Sequence, residues 1–451
     1  MTGHHADTSV TVDGRAGHTL RVTIVVLAIA TVVGLVLLRP ADRTDPTDGT
    51  PFDVEQADAT IVGFSLQPCA GTLPDDDIDC FEYDIEVTSG RTAGDRATFQ
   101  QAVATGGVEL RTGDRVVVAR TPGAPEGAEY AFVDFQRDRP LLLLVALFVV
   151  AVIALGRWQG VRALAAAGGA VAFLAWYLMP ALLDGVAPLP LALVSASAIA
   201  FVAIYVTHGV NVPSSIALAG TLGSLVLVGV LGLVFIDATG LTGLASEESA
   251  LLRLSAGTVD FEGLLLAGLV IGALGVLDDV TITQVSAVWE LRAARPDDPR
   301  RTVFRSALRI GRDHISSTVN TLVLAYAGAS LPLLLLFSQS NQPLSRVLTG
   351  EVVAAEIVRT LVGSIGLVAA VPLTTALAVA LLAPAGRGRR ADAGPETGGA
   401  GPTGTELTGD LGGRDAASGP SDPVALAGGP GPVDRGDDDT WDEFSPQPDH
   451  F

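Results

Sequence analysis

The chain has 451 residues, 49% of them hydrophobic, 17% charged and 5% aromatic, with a formal net charge of −21. Its apolar residues are gathered into runs close to the ~20 that cross a bilayer, which excludes an ordinary soluble domain and defines a mainly α, polytopic transmembrane bundle. All 28 basic residues are arginine, and a chain without lysine excludes a phosphate loop of the Gly-x-x-x-x-Gly-Lys type.

In chain order, residues 1–21 precede a first apolar run, Val22 to Leu38, which has Arg15 and Arg21 on its near side. That run is long for a signal-peptide core and no persuasive small-x-small cleavage site follows, so it is expected to be a retained anchor. Residues 39–139 are polar, with strand-like runs at Ala59 to Leu66, Phe81 to Thr88, Val108 to Arg111, Arg115 to Arg120 and Tyr130 to Phe135. Turn residues at Ser89-Gly90 and Thr112-Gly113-Asp114 separate them, so a small all-β extracytoplasmic barrel or sandwich is expected. Cys69 and Cys80, the only cysteines, fall in this segment and are expected to form a disulfide closing the acidic loop Leu73 to Asp79. No histidine accompanies them, so no metal is expected. Asp75, Asp76, Asp77 and Asp79 lack the glycine and glutamate of an EF-hand loop and read as a solvated turn.

Residues 140–382 read as seven further spans: Leu141 to Leu155, Ala163 to Leu183, Leu189 to Val206, Ser214 to Phe235, Phe261 to about Thr281, Ile315 to Phe337 and Ile357 to Leu382. Eight spans in all would put both termini on one side. The arginines agree: Arg157, Arg162, the seven from Arg292 to Arg312, and Arg387, Arg389 and Arg390 all fall on the side expected to be cytosolic.

The sixth span carries the most informative pattern. Gly268, Gly272, Gly275, Asp279, Thr283, Ser286 and Glu290 recur at steps of four and three, which puts them on one helical face. The glycines are expected to let a neighbouring helix approach, and the polar residues below them to face protein or water. Asp278 and Asp279 are open to two readings: functional carboxylates at the end of a span, or markers of the membrane boundary. Asn320, five residues into the seventh span, lies at a depth comparable with Asp279 and is expected to face it. The pair would then bind a proton, cation or substrate, or only bond two helices. Pro372 is expected to kink the last span, with Thr374 and Thr375 satisfying the carbonyls it frees. Glu356 and Arg359, three apart, read as an interfacial ion pair. Gly220-Thr-Leu-Gly223, Gly272-Ala-Leu-Gly275 and Gly363-Ser-Ile-Gly366 form an unevenly spaced internal likeness.

The arginines from Arg292 to Arg312 form a basic amphipathic connector suited to anionic lipid headgroups rather than nucleic acid. Beyond residue 383 the composition turns to Gly, Pro, Ala, Ser, Thr and Asp, with thirteen acidic residues against two arginines from Ala391 to Phe451. A disordered acidic tail is expected there, and Asp437 to Phe444, with Trp441 and Phe444 among acids, reads either as a docking motif for a protein partner or as plain solvating tail. No nucleophile, acid and base grouping stands out and no cofactor is implied, so an enzyme is not expected.

The segments Leu264 to Thr283, Ile310 to Asp313, Thr318 to Leu331, Arg359 to Gly366 and Pro372 to Thr374 together resemble the YibE/F-like family of bacterial multi-pass membrane proteins. The resemblance implies a bacterial plasma-membrane protein with an outer domain after its first helix; the family is described as transporters of undefined substrate or as proteins of unknown function. Here Asp278 precedes Asp279 where an apolar residue is common. The expectation is a permease in which Asp279 and Asn320, with Asp278, Thr283 and Ser286, bind an unknown small solute or ion and Gly268, Gly272 and Gly275 permit helix movement. The alternative is a membrane scaffold or sensor whose outer domain and tail recruit partners.

Overall fold

The computed structural model describes residues 10, 12–40, 55–69, 79–102, 108–124, 129–255, 259–339 and 343–383. The loop aspartates 75–77 and the tail with its candidate motif lie outside them. Seventeen residues after helix α1 (Gly14–Leu37) the chain enters one curled, antiparallel sheet of five strands: β1 (Glu55–Pro68), β2 (Asp79–Val87), β3 (Arg96–Ala102), β4 (Arg115–Arg120) and β5 (Tyr130–Phe135), in the order β3-β2-β1-β4-β5. Four strands match the expected runs. The fifth expected run, Val108 to Arg111, is not a strand, although Leu110 is buried in the sheet's core. The missed strand, β3, pairs only with β2 and buries only Phe99, so it lacks the alternation that marks a half-buried strand. Gly90 and Gly113 adopt φ of 83° and 95°, as the expected turns require. Inside the curl, Tyr83 stacks on Phe99 with ring centroids 5.3 Å apart, among Ala59, Ile61, Ile85, Val116 and Val118. Cys69 and Cys80 are joined, with Cα atoms 4.9 Å apart.

The remainder is helical: α2 (Asp138–Phe173), a π-helical turn (Leu174–Leu178), α3 (Met179–Leu183), α4 (Pro188–His208), α5 (Val212–Thr239), α6 (Glu247–Ser255), α7 (Phe261–Ala294), α8 (Arg300–Ala329), α9 (Leu331–Ser338), α10 (Leu344–Thr349) and α11 (Glu351–Leu381). Among the described residues six helical runs are long and apolar enough to cross a membrane, or up to seven if α8 and α9 count as one bent span. The expected eight came from reading Leu141 to Leu155 and Ala163 to Leu183 as separate spans. Both lie in the single run Asp138–Leu183, broken at Arg157, whose φ of 51° and ψ of −129° are not helical. The chain folds back there, and a Cβ on Gly160 would meet the backbone of Val152. The expected seventh span is bent by 60° between Ala329 and Leu331. Pro332 accounts for the break, since it lacks an N–H and crowds the carbonyl four residues before it.

The bundle's centre is α5, α7 and α11, with α4 and α8 against α7. Close approach comes from Gly220 against Thr374, Gly232 against Leu266, Gly366 against Val228 and Gly311 against Val371 and Gln284. Between these contacts lie buried hydrogen bonds. Thr221 and Thr281 share one at 2.7 Å, and the Gln284 amide donates to the Ala307 carbonyl at 2.9 Å and to Thr375 Oγ1 at 2.7 Å. Interhelical bonds of this kind contribute ~0.6 to 2 kcal/mol each in a membrane. Helix α11 runs through Pro372 unbroken. Thr375 bonds the Val371 carbonyl and Thr374 Oγ1 is buried without a partner, so neither takes the Val368 carbonyl that Pro372 leaves unpaired.

Helices α7 and α8 also run further than the expected spans, to Ala294 and from Arg300. Their extensions form a second core with the ends of α1, α5 and α11, built on Ile216, Val285, Val288, Val303, Ala307 and Leu382. At the other end, Glu351 Oε1 accepts from the Thr242 and Gly243 amides and the Thr242 hydroxyl at 2.7 to 2.8 Å, tying the loop after α5 to the start of α11. The expected pair Glu356–Arg359 is formed.

Candidate functional site

Helices α4 and α7 run in the same direction with their starts in register, since a Cβ on Gly263 would meet Pro188. His208 lies 20 residues after Pro188 and Asp279 lies 16 after Gly263, depths that differ by about one helical turn. Both elements therefore deliver polar side chains at one level. The second half of α2 covers this pair with Ala163, Ala166, Ala167 and Ala170, a helical face of the smallest side chains. Because alanine cannot fill the space between three helices, a cavity of about 410 Å³ remains. Apolar residues such as Leu174, Ile199, Ile204, Ile271 and Leu274 line most of it, and Thr207, His208, Asp278 and Asp279 give it one polar end. A volume of this size suits a small solute.

Asp278 is half-buried and Asp279 exposed, and Asp278 Oδ1 accepts from the Asp279 amide at 2.8 Å. The other expected residues are not brought to them. Thr283 and Ser286 spend their hydroxyls on the Asp279 and Ile282 carbonyls of their own helix and do not line the cavity. Asn320 is exposed, lies outside the cavity lining, and has no side-chain hydrogen bond among the described residues. Its expected depth holds, because Val280 packs among Ile315, Val319 and Leu322. Its direction does not: apolar residues take the α7 contact, and Asn320 points about 100° away from Val319 around the helix.

The glycine stripe is also corrected. Gly268, Gly272 and Gly275 are exposed and a Cβ on any of them would meet nothing, so within this chain they admit no neighbouring helix. His208 and Thr207 are the residues that sequence reasoning missed. The available signal was depth: His208 closes an apolar run at the level at which Asp278 and Asp279 close another.

A helical bundle whose apolar runs are long enough to cross a membrane points to a membrane-embedded protein, and its cavity ends on two carboxylates. A profile of the YibE/F-like protein family matches residues 144–384, more than half of the chain, and the chain belongs to that family. The match takes in every helix of the cavity and leaves out the β domain and the tail. Comparison with curated proteins and with solved structures gives no match.

Proposed function

We propose that this protein is a permease of the bacterial plasma membrane that moves a small cation or a protonated solute. In this reading α2 supplies two spans, one on each side of Arg157, so that eight spans put both termini in the cytosol and the β domain outside. The single observation that carries it is the cavity between α2, α4 and α7 ending on Asp278, Asp279 and His208. Two carboxylates at the end of an apolar chamber, where ionisable residues are costly, favour a positively charged occupant. The imidazole beside them offers a group that gains or loses a proton near neutral pH.

The scaffold reading accounts better for one set of residues. Thr221, Thr281, Gln284 and Thr375 are packed dry and bond helix to helix, and hold the bundle without touching a solute. It leaves the open chamber unexplained. Proteoliposomes assayed for proton, monovalent and divalent cation flux separate the two. Asp278→Asn and Asp279→Asn should each keep the melting temperature and lose about tenfold or more of the flux, with His208→Gln altering its pH dependence. Full flux in both Asn variants, or no flux for any cation in the unaltered protein, would overturn the permease reading.

A further inference from the structure

Helix α7 is exposed along one line only. From Gly263 to Glu290 its exposed residues are Gly268, Gly272, Gly275, Asp279, Thr283, Ser286 and Glu290, and every other residue of that stretch is buried or half-buried. Helix α8 carries an exposed line at the same steps of four and three: Arg305, Arg309, Arg312, Ser316, Asn320, Val323 and Ala327. These fall within about 80° of one another around the helix. Among the described residues the Asp279 and Glu290 carboxylates, the three guanidiniums and the Asn320 amide have no ion-pair or side-chain hydrogen-bond partner.

The two lines match in level. Gly311 of α8 lies against Gln284 of α7, and further on Leu322 and Tyr326 lie by Gly272 and Val276, so the helices run antiparallel. Equal steps from the Gly311 contact bring Arg305 level with Glu290, Arg312 with Thr283, Ser316 with Asp279, Asn320 with Gly275 and Ala327 with Gly268. Within one chain the lines do not meet. Ala307, whose carbonyl accepts from Gln284, faces α7, and Arg309 is about 200° further around α8. Two copies in one membrane keep the same register, because the bilayer fixes the direction and depth of each helix. The α8 line of one copy and the α7 line of the next are therefore already level.

Charge selects this pairing over the others. Packing α8 on α8 would set Arg305, Arg309 and Arg312 against their own kind, and packing α7 on α7 would do the same with Asp279 and Glu290. Lipid over both lines would leave a carboxylate and an amide unpaired at span depth, which is costly. We propose that copies of this chain associate in the membrane, with the Arg305-to-Ala327 face of α8 on one copy packed along the Gly268-to-Glu290 line of α7 on the next. Glu290 then pairs with Arg305 of the partner subunit, and the glycines admit the partner's helix. Gly275 and Asp279 also line the cavity, so Ser316 and Asn320 of the partner subunit come to its edge. The Asn320 and Asp279 that one chain keeps apart are brought to neighbouring levels between two. Because the contact joins two different surfaces, it repeats and closes as a ring.

Both cysteines of the chain are held in the disulfide, so introduced thiols report without background. Full-length chains carrying Gly268→Cys and full-length chains carrying Ala327→Cys, tagged to differ in mass, are reconstituted together in phosphatidylcholine vesicles and oxidised. The two kinds of chain should join through residues 268 and 327, while neither variant alone should crosslink. Arg305→Glu and Glu290→Arg lie outside the cavity lining, and each should lower the mixed crosslink by about tenfold or more, whereas the two reversals together should restore it. Joining of Ala327→Cys chains to one another would mean that α8 meets α8 and would overturn the proposal. So would uncrosslinked single copies throughout, which would leave both lines to lipid, or a double reversal that restores nothing. No flux is measured, so the permease reading stands or falls separately.

Discussion

On its buried side α7 meets α5, α8 and α11 through Thr281, Gln284 and apolar neighbours; on its open side it carries Gly268, Gly272, Gly275, Asp279, Thr283 and Ser286. Both sides look like packing surfaces by spacing alone. What separates them is the neighbour. Gly220 and Gly366 are matched by Thr374 and Val228 across a close interface, whereas Gly275 faces α2's alanines across a chamber and Gly272 faces Leu322 and Tyr326 across a narrow gap, with no atom within 4 Å of a Cβ at either. A small residue lowers the cost of approach but does not create it; complementary bulk on the other helix does.

The sharpest way to break this comparison is to fill a glycine on each side. Gly220→Leu drives a side chain into Thr374 and should cost ~3 kcal/mol or more, seen as loss of folded protein in detergent. Equal tolerance of Gly220→Leu and Gly272→Leu would mean that the two sides do not differ. A smaller effect is expected from Gln284→Ala, which removes both amide bonds and leaves a gap among α7, α8 and α11. A loss of about 2 kcal/mol in thermal or denaturant unfolding would place Gln284 in the interlocked half, and an unchanged melting temperature would remove it. On the open side, Arg157→Gly should stabilise by roughly 1 kcal/mol, because a residue with a side chain is strained at that φ and glycine is not. A drop in stability instead would show that the arginine side chain anchors the turn. Gly272→Leu is expected to change stability least, by under about 0.5 kcal/mol.

Spans were legible where a single helix is apolar throughout, as in α4 and α5, because hydropathy measures transfer into lipid and needs no knowledge of neighbours. The β domain was legible where strands alternate and unread at β3, whose one buried side chain, Phe99, leaves no pattern. Within the site, Asp278 and Asp279 could be found from the chain because a charge at the end of a span stands out alone. Asn320 was misjudged because one sequence gives depth along a helix without its rotation against another. His208 went unread for the related reason that it belongs to a different span, and only the register of Pro188 with Gly263 brings it level with the carboxylates.

At the two ends of the described bundle, Val12 pairs with Leu382 and the Asp13 amide donates to the Leu381 carbonyl at 3.0 Å. Topologically the bundle is thus closed on itself, with its two ends knotted at one point rather than at opposite poles. Such an arrangement suits circular permutation: a short linker from residue 383 to residue 12, with new ends opened in the turn at Gly240 to Gly243, would disturb the bonds of the Glu351 carboxylate and the packing of the buried Leu241 while leaving the long helices intact. It also means that a rigid fusion at either end competes for the same few square nanometres of surface, so split-reporter halves attached at residues 12 and 383 would meet on one molecule without any partner to bring them together.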